Sequence, residues 1–183
     1  TEKRILYRPD LRGYQPENRI QIQTLYADPL EQEDLIMETV RIYIETSFRG
    51  PAVKDGKYAA ALVITKRGRD SSRIVSGEES ETTFNRCTLL AIIKALQRMT
   101  RKCHIIIYTD NSYVKNMIEQ RSPEKWRRSE WKKAAGTEVQ NKELWKLFLE
   151  EKDKQELEVQ FCQTSEYKET LQAVIHGEEI ESV

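Results

Sequence analysis

The run Ile105-Ile106-Ile107-Tyr108-Thr109 ends on Asp110 and passes directly into Asn111-Ser112-Tyr113-Val114, a buried strand feeding the start of a helix. That junction constrains the chain more than any other, because the carboxyl end of a buried strand beside a helix start is where α/β proteins place chemistry. A second strand has the same form. Val40-Arg41-Ile42-Tyr43-Ile44 runs into Glu45-Thr46-Ser47, so two strands bring Glu45 and Asp110 to what can be one sheet edge. Two neighbouring carboxylates are the hard oxygen donors that suit Mg²⁺ or Mn²⁺.

A chain of 183 residues with 38% hydrophobic content has the size of one domain and an extension, with enough apolar surface for a core. Lys+Arg and Asp+Glu number 30 each, so affinity for a polyanion must come from a local patch rather than a whole-molecule field. Cys87, Cys103 and Cys162 are widely spaced and odd in number, which suits reduced thiols in a cytoplasmic protein and argues against a disulfide framework or a zinc site. No apolar run approaches the ~20 residues of a membrane span, and the first residues lack the apolar core of a signal peptide.

Residues 1–38 are interrupted by Pro9, Pro16 and Pro29, and only Arg19 to Gln23 alternates like a strand, so they read as an N-terminal arm that could engage a protein partner. From Val40 the order becomes regular. Val40–Thr46, Tyr58–Thr65 and Ser72–Gly77 form an antiparallel meander, and Thr82 or Thr83 caps a helix with Leu89, Ile92, Ile93 and Leu96 on one face. The strand Ile105–Thr109 follows, then a helix over about 111–120, a break at Pro123, a basic segment, and a helix over about 141–153. Leu157–Phe161 alternates as a fifth strand, and Leu171, Val174 and Ile175 mark a last helix over 167–176. The expected order is βββαβααβα over residues 39–176, with an acidic tail over 177–183. His104 opens a strand and His176 ends a helix, both structural placements.

With these elements placed, the chain resembles the type 1 ribonuclease H family. Glu45-Thr46-Ser47 resembles the first-strand motif, with Glu where Asp is usual and one residue fewer. The segment Thr82 to Ala91 resembles Thr-Thr-Asn-Asn-Arg-x-Glu-Leu-x-Ala, with Thr88 at the Glu position and Phe84 at an Asn position. Tyr108 to Val114 is similar to the Thr-Asp-Ser-x-Tyr-Val motif, and Trp126, Trp131 and Trp145, with Asn141 and Leu144, follow the family's spacing through its basic protrusion. The resemblance covers about residues 40–176. It implies an RNase H-like α/β fold: a five-stranded mixed sheet, three strands antiparallel and two parallel, flanked by helices.

The resemblance also implies an RNA/DNA-hybrid nuclease using two divalent ions held by four carboxylates. Asp110 and Glu45 match two of these positions, and Glu169, in Glu169-Thr170-Leu171, matches the fourth. Thr88 supplies no anion at the remaining position, and Gln163-Thr164-Ser165 stands where the family carries a histidine. A missing ligand weakens a two-ion site, because the mutual repulsion of the ions must be offset by negative donors. The resemblance therefore implies a hybrid-binding or structured-RNA-binding protein with hydrolysis impaired or lost. Two alternatives stand beside it: an active enzyme with altered ligands, Glu45, Asp110 and Glu169 or Glu81, and a protein-interaction scaffold.

Lys125-Trp126-Arg127-Arg128-Ser129-Glu130-Trp131-Lys132-Lys133 combines basic and aromatic side chains able to grip phosphates and stack on bases. The same segment also suits a solvated helix with its tryptophans turned inward. In the family, small polar groups reach 2′-hydroxyls in the minor groove, and Thr83, Asn85 and Asn111 hold the matching positions. The acids between Glu151 and Glu158 and those at Glu178, Glu179 and Glu181 leave the protrusion as the side open to a nucleic acid.

Overall fold

The computed structural model describes residues 37–178; the arm, up to residue 36, and the tail beyond 178 lie outside the described residues. The elements are β1 (Thr39–Thr46), β2 (Lys54–Lys66), β3 (Arg69–Thr82), α1 (Phe84–Leu96), β4 (His104–Thr109), α2 (Ser112–Glu119), α3 (Ser122–Arg128), α4 (Lys142–Lys152), β5 (Glu156–Phe161) and α5 (Lys168–His176). The sheet order is β3-β2-β1-β4-β5. β1, β2 and β3 are antiparallel neighbours, whereas β4 lies parallel to both β1 and β5. This is the RNase H-like arrangement expected from the sequence.

Two strands are longer than their apolar centres. β2 and β3 pair from Lys54↔Thr82 to Lys66↔Arg69, well beyond the expected Tyr58–Thr65 and Ser72–Gly77. Their ends are polar and exposed, so hydrophobic pattern misses them, and the ladder is carried by backbone bonding and a tight turn. That turn places Arg67 at φ 51° and Gly68 at φ 73°, the double left-handed geometry that matches strand twist in a two-residue hairpin.

The break expected at Pro123 is instead the first turn of an additional helix, α3. Proline is tolerated there because its missing N–H would have no partner within the helix and its fixed φ is already helical. The observed order is therefore βββαβαααβα.

β2 alternates between two apolar layers. Tyr58, Ala60 and Leu62 join the larger core with Val40, Ile42, Ile44, Ile105, Ile107, Val159 and the buried faces of α1, α2 and α4. Ala59, Ala61 and Val63 face the other way, with Tyr43, Leu171 and Ile175. The small alanines let helices approach both faces of the sheet. α1 is the central helix of the larger layer, burying Leu89, Ala91, Ile92, Ile93 and Leu96, while α5 covers the opposite face through Leu171 and Ile175. Among the described residues no helix is long and apolar enough to cross a membrane.

Candidate active site and nucleic-acid face

The parallel pairing of β1 with β4 reaches Tyr43↔Tyr108, and Glu45 and Asp110 each lie two residues further along. Period-two alternation puts both side chains on the same side as that pair. The two expected acids are thus brought together at one sheet end, and both are largely buried, Glu45 with 6% and Asp110 with 12% of its side chain exposed. Asp110 does not cap the helix that follows. Asn111 does, accepting from the Val114 N–H at 3.0 Å, which leaves the Asp110 carboxylate free for another partner.

That partner is Arg49, in the loop after β1. Its Nη2 donates to Glu45 Oε2 at 2.9 Å and its Nε donates to Asp110 Oδ2, so one guanidinium bridges both acids. Burial alone would lower the Arg49 pKa, but its bonds to Asp110 and Glu45 prevail and hold it above its ordinary value. Gln172 of α5 completes the arrangement, donating from Nε2 to Glu45 Oε2 at 2.7 Å and to the Thr46 carbonyl at 3.3 Å. Neither Arg49 nor Gln172 is marked in the sequence. Arg49 belongs to no periodic element, and Gln172 is a polar residue on a helix whose pattern is set by Leu171 and Ile175.

Thr88, expected from the resemblance at the family's glutamate position, is only 1% exposed. Its hydroxyl donates to the Phe84 carbonyl at 2.8 Å and accepts from Asn111 Nδ2 at 3.0 Å. The same Asn111 amide donates to Asn85 Oδ1 at 3.0 Å. Thr88 is thus closed inside a neutral hydrogen-bond network.

Glu169 lies exposed in the first turn of α5, three residues before Gln172, and the bonds of Glu45, Asp110 and Arg49 run to one another and to Gln172 instead. Glu81 is exposed at φ 48° near the end of β3, which β2 and β1 separate from β4. Among the described residues no group of three or more His, Cys, Asp or Glu side chains is placed to hold a metal ion. The donor set at the strand ends is two carboxylates bridged by one guanidinium, a closed threonine hydroxyl and an amide N–H. It does not fit the pair of Mg²⁺ or Mn²⁺ ions implied by the resemblance, since an amide donor and a guanidinium repel rather than coordinate cations.

The groove positions divide. Thr83 caps α1, accepting from the Arg86 N–H at 3.3 Å, and Thr83 and Asn85 remain half-buried at the helix start. Asn111 corrects the expectation of a groove contact: it is 1% exposed, and both its oxygen and its amide are spent internally because a strand-to-helix junction needs a cap there.

In the protrusion Lys125, Arg127, Arg128, Lys132 and Lys133 are exposed, with Arg127 paired to Asp153 at 2.7 Å. The tryptophans do not share that exposure. Trp131 is 8% exposed, and Trp126 is half-buried with its ring set edge-on to Trp145 at a centroid distance of 5.6 Å. They anchor the basic segment to the core: Trp126 packs on the fully buried Trp145 of α4, and Trp131 is itself part of the larger core.

Comparison with known proteins agrees with this architecture. The chain is 35% identical over 114 residues to ribonuclease H from Thermoanaerobacter sp. (strain X514), covering 62% of this chain and 70% of that protein. It is 51% identical over 71 residues to ribonuclease H from Francisella philomiragia subsp. philomiragia, covering 39% of this chain and 46% of that protein. Among solved structures, LC9-RNase H1, a type 1 RNase H with the type 2 active-site motif, superposes with a TM-score of 0.64 at 19% identity, covering 79% of this chain and 75% of that one. The foamy viral protease-reverse transcriptase in complex with RNA/DNA hybrid gives 0.55 at 13% identity over 71% of this chain and 18% of that one. The family model for RNase H matches residues 37–166, and the chain belongs to the RNase H family.

Proposed function

We propose that this chain binds RNA/DNA hybrid or structured RNA through its basic protrusion and the start of α1, with phosphodiester hydrolysis impaired or lost. The observation that carries the reading is the closure of Thr88. A neutral side chain satisfied on both sides by Phe84 and Asn111 replaces an anion in a mechanism that depends on anionic ligands. Support for binding comes from the exposed Lys125, Arg128, Lys132 and Lys133, and from the foamy viral relative of this fold that is solved on a hybrid. Thr83 and Asn85 supply small polar groups suited to 2′-hydroxyls.

The test is cleavage of an RNA/DNA hybrid in Mg²⁺ and in Mn²⁺ beside Asp110→Asn, with binding followed as salt is raised. Expected are binding without cutting and affinity that falls steeply with salt; Lys125→Ala and Arg128→Ala should each flatten the log–log slope by about 1. Cutting by the native chain that Asp110→Asn abolishes would instead establish a working altered site, with Glu169 as the acid to replace next. Neither cutting nor binding would leave a scaffold.

A further inference from the structure

Two carboxylates buried side by side repel each other and lose hydration, a cost that grows as the surroundings become less polar. Glu45 and Asp110 meet that cost with an internal cation. The Arg49 guanidinium is forked between them, its Nη2 on Glu45 and its Nε on Asp110, while its own side chain is 42% exposed. Gln172 also stabilises an acid already paired: its amide donates to the same Glu45 oxygen that Arg49 holds. The acids are fixed by parallel strands, whereas the cation arrives on a loop.

We infer that Arg49 is the resident counter-ion of the Glu45–Asp110 pair, occupying the place between the strand ends so that the native chain takes no divalent cation there, and that removing its charge opens the pair to Mn²⁺ or Mg²⁺. The inference rests on the proposed reading in treating the strand ends as a displaced ion site. It also assigns a role to a residue outside the motifs, and it does not depend on nucleic-acid binding. Its physical basis is competition: a divalent ion must displace a bidentate guanidinium to reach the acids, but would meet only anions, an amide and water once that guanidinium is gone.

The experiment is a Mn²⁺ titration of the full chain followed by the electron-spin resonance of free Mn²⁺, with hybrid binding measured on the same samples. The native chain is expected to show no site destroyed by Asp110→Asn at Kd below about 1 mM, and Arg49→Gln to gain one at least about tenfold tighter, ~1.4 kcal/mol. The double variant Arg49→Gln/Asp110→Asn should lose that gain. Mn²⁺ should also raise the melting temperature of Arg49→Gln and leave the native one unmoved, since a ligand stabilises only the state it binds. No gain in Arg49→Gln, or equal binding by the native chain that Asp110→Asn removes, would overturn the inference. A measurement without substitution guards against a poorly folded variant: the Arg49 Nε–H resonance of the native chain should withstand a Mg²⁺ titration, and its saturable loss would equally overturn the inference. Failure of hybrid binding with the Mn²⁺ gain intact would sink the binding function alone; hybrid binding without the gain would sink only the role of Arg49.

Discussion

Arg86 and Arg49 each bridge two acids, and their surroundings differ in what the bridge holds together. Arg86 of α1 holds Glu79 of β3 through Nε at 3.1 Å and Nη2 at 2.8 Å, and reaches across to Asn141 and Glu143 at the start of α4. Arg49 holds Glu45 and Asp110 at the ends of β1 and β4. In the first cluster the arginine and Glu79 are similarly enclosed, at 25% and 28% exposure; in the second the acids are enclosed and the arginine is the accessible member. Arg86 ties α1 to β3 and to the start of α4. Arg49 joins two strands already in register. An ion pair therefore contributes to architecture according to what it connects, and an acid pair that the backbone alone holds in place is better explained by chemistry than by folding.

The largest expected effect falls on the clamp. Arg86→Ala removes bonds to Glu79, Asn141 and Glu143 and leaves partly buried acceptors behind, so urea unfolding should show a loss of about 2–3 kcal/mol, less than for a fully buried pair because water screens part of it. A loss below about 0.5 kcal/mol would reduce the clamp to an ordinary surface pair. Acid sharpens the same point. The Arg86 bond holds the Glu79 carboxyl below its ordinary value of 4.5, burial opposing, with Thr82 adding a second bond. A lowered folded pKa contributes stability that is complete above the unfolded value and disappears as pH falls through the folded one. The stability gap between the native chain and Glu79→Gln should accordingly stay level from neutrality down to about pH 5 and close below 4.5, as urea midpoints across pH would show.

Periodicity made most of the architecture readable, because every strand and four of the five helices carry apolar faces that reach one of the two cores. α3 was hidden by Pro123, which ends a helix from within but begins one from its first turn. Burial was harder to read than order. Trp126 and Trp131 sit among lysines and arginines, and only tertiary packing, such as that of Trp126 on Trp145 of α4, decides that their rings turn inward. At the site, Glu45 and Asp110 were legible because strand ends have a defined direction. That Asn111 rather than Asp110 caps α2 goes with Thr88 and Asn85 accepting its amide, a tertiary fact. Arg49 left no sign in the sequence: four residues after Glu45 means adjacency on a helix, whereas here a loop brings the pair together.

The smallest effect is the most discriminating. Arg49→Gln leaves the β1–β4 ladder intact and removes a partner that is 42% exposed, so in chelated buffer its cost should be only about 1 kcal/mol. That cost should arise from the two acids left facing each other rather than from lost packing. If so, it is conditional: in an Asp110→Asn background the repulsion is already gone, and Arg49→Gln should then cost less than half as much, a coupling measurable by a double-mutant cycle in urea. Additive costs would mean that Arg49 supports its loop independently of the acids, and the contrast between the two arginines would collapse. A clear coupling, with the Arg86 cluster several times more costly to break, would separate the cation that holds the fold from the cation that fills the site.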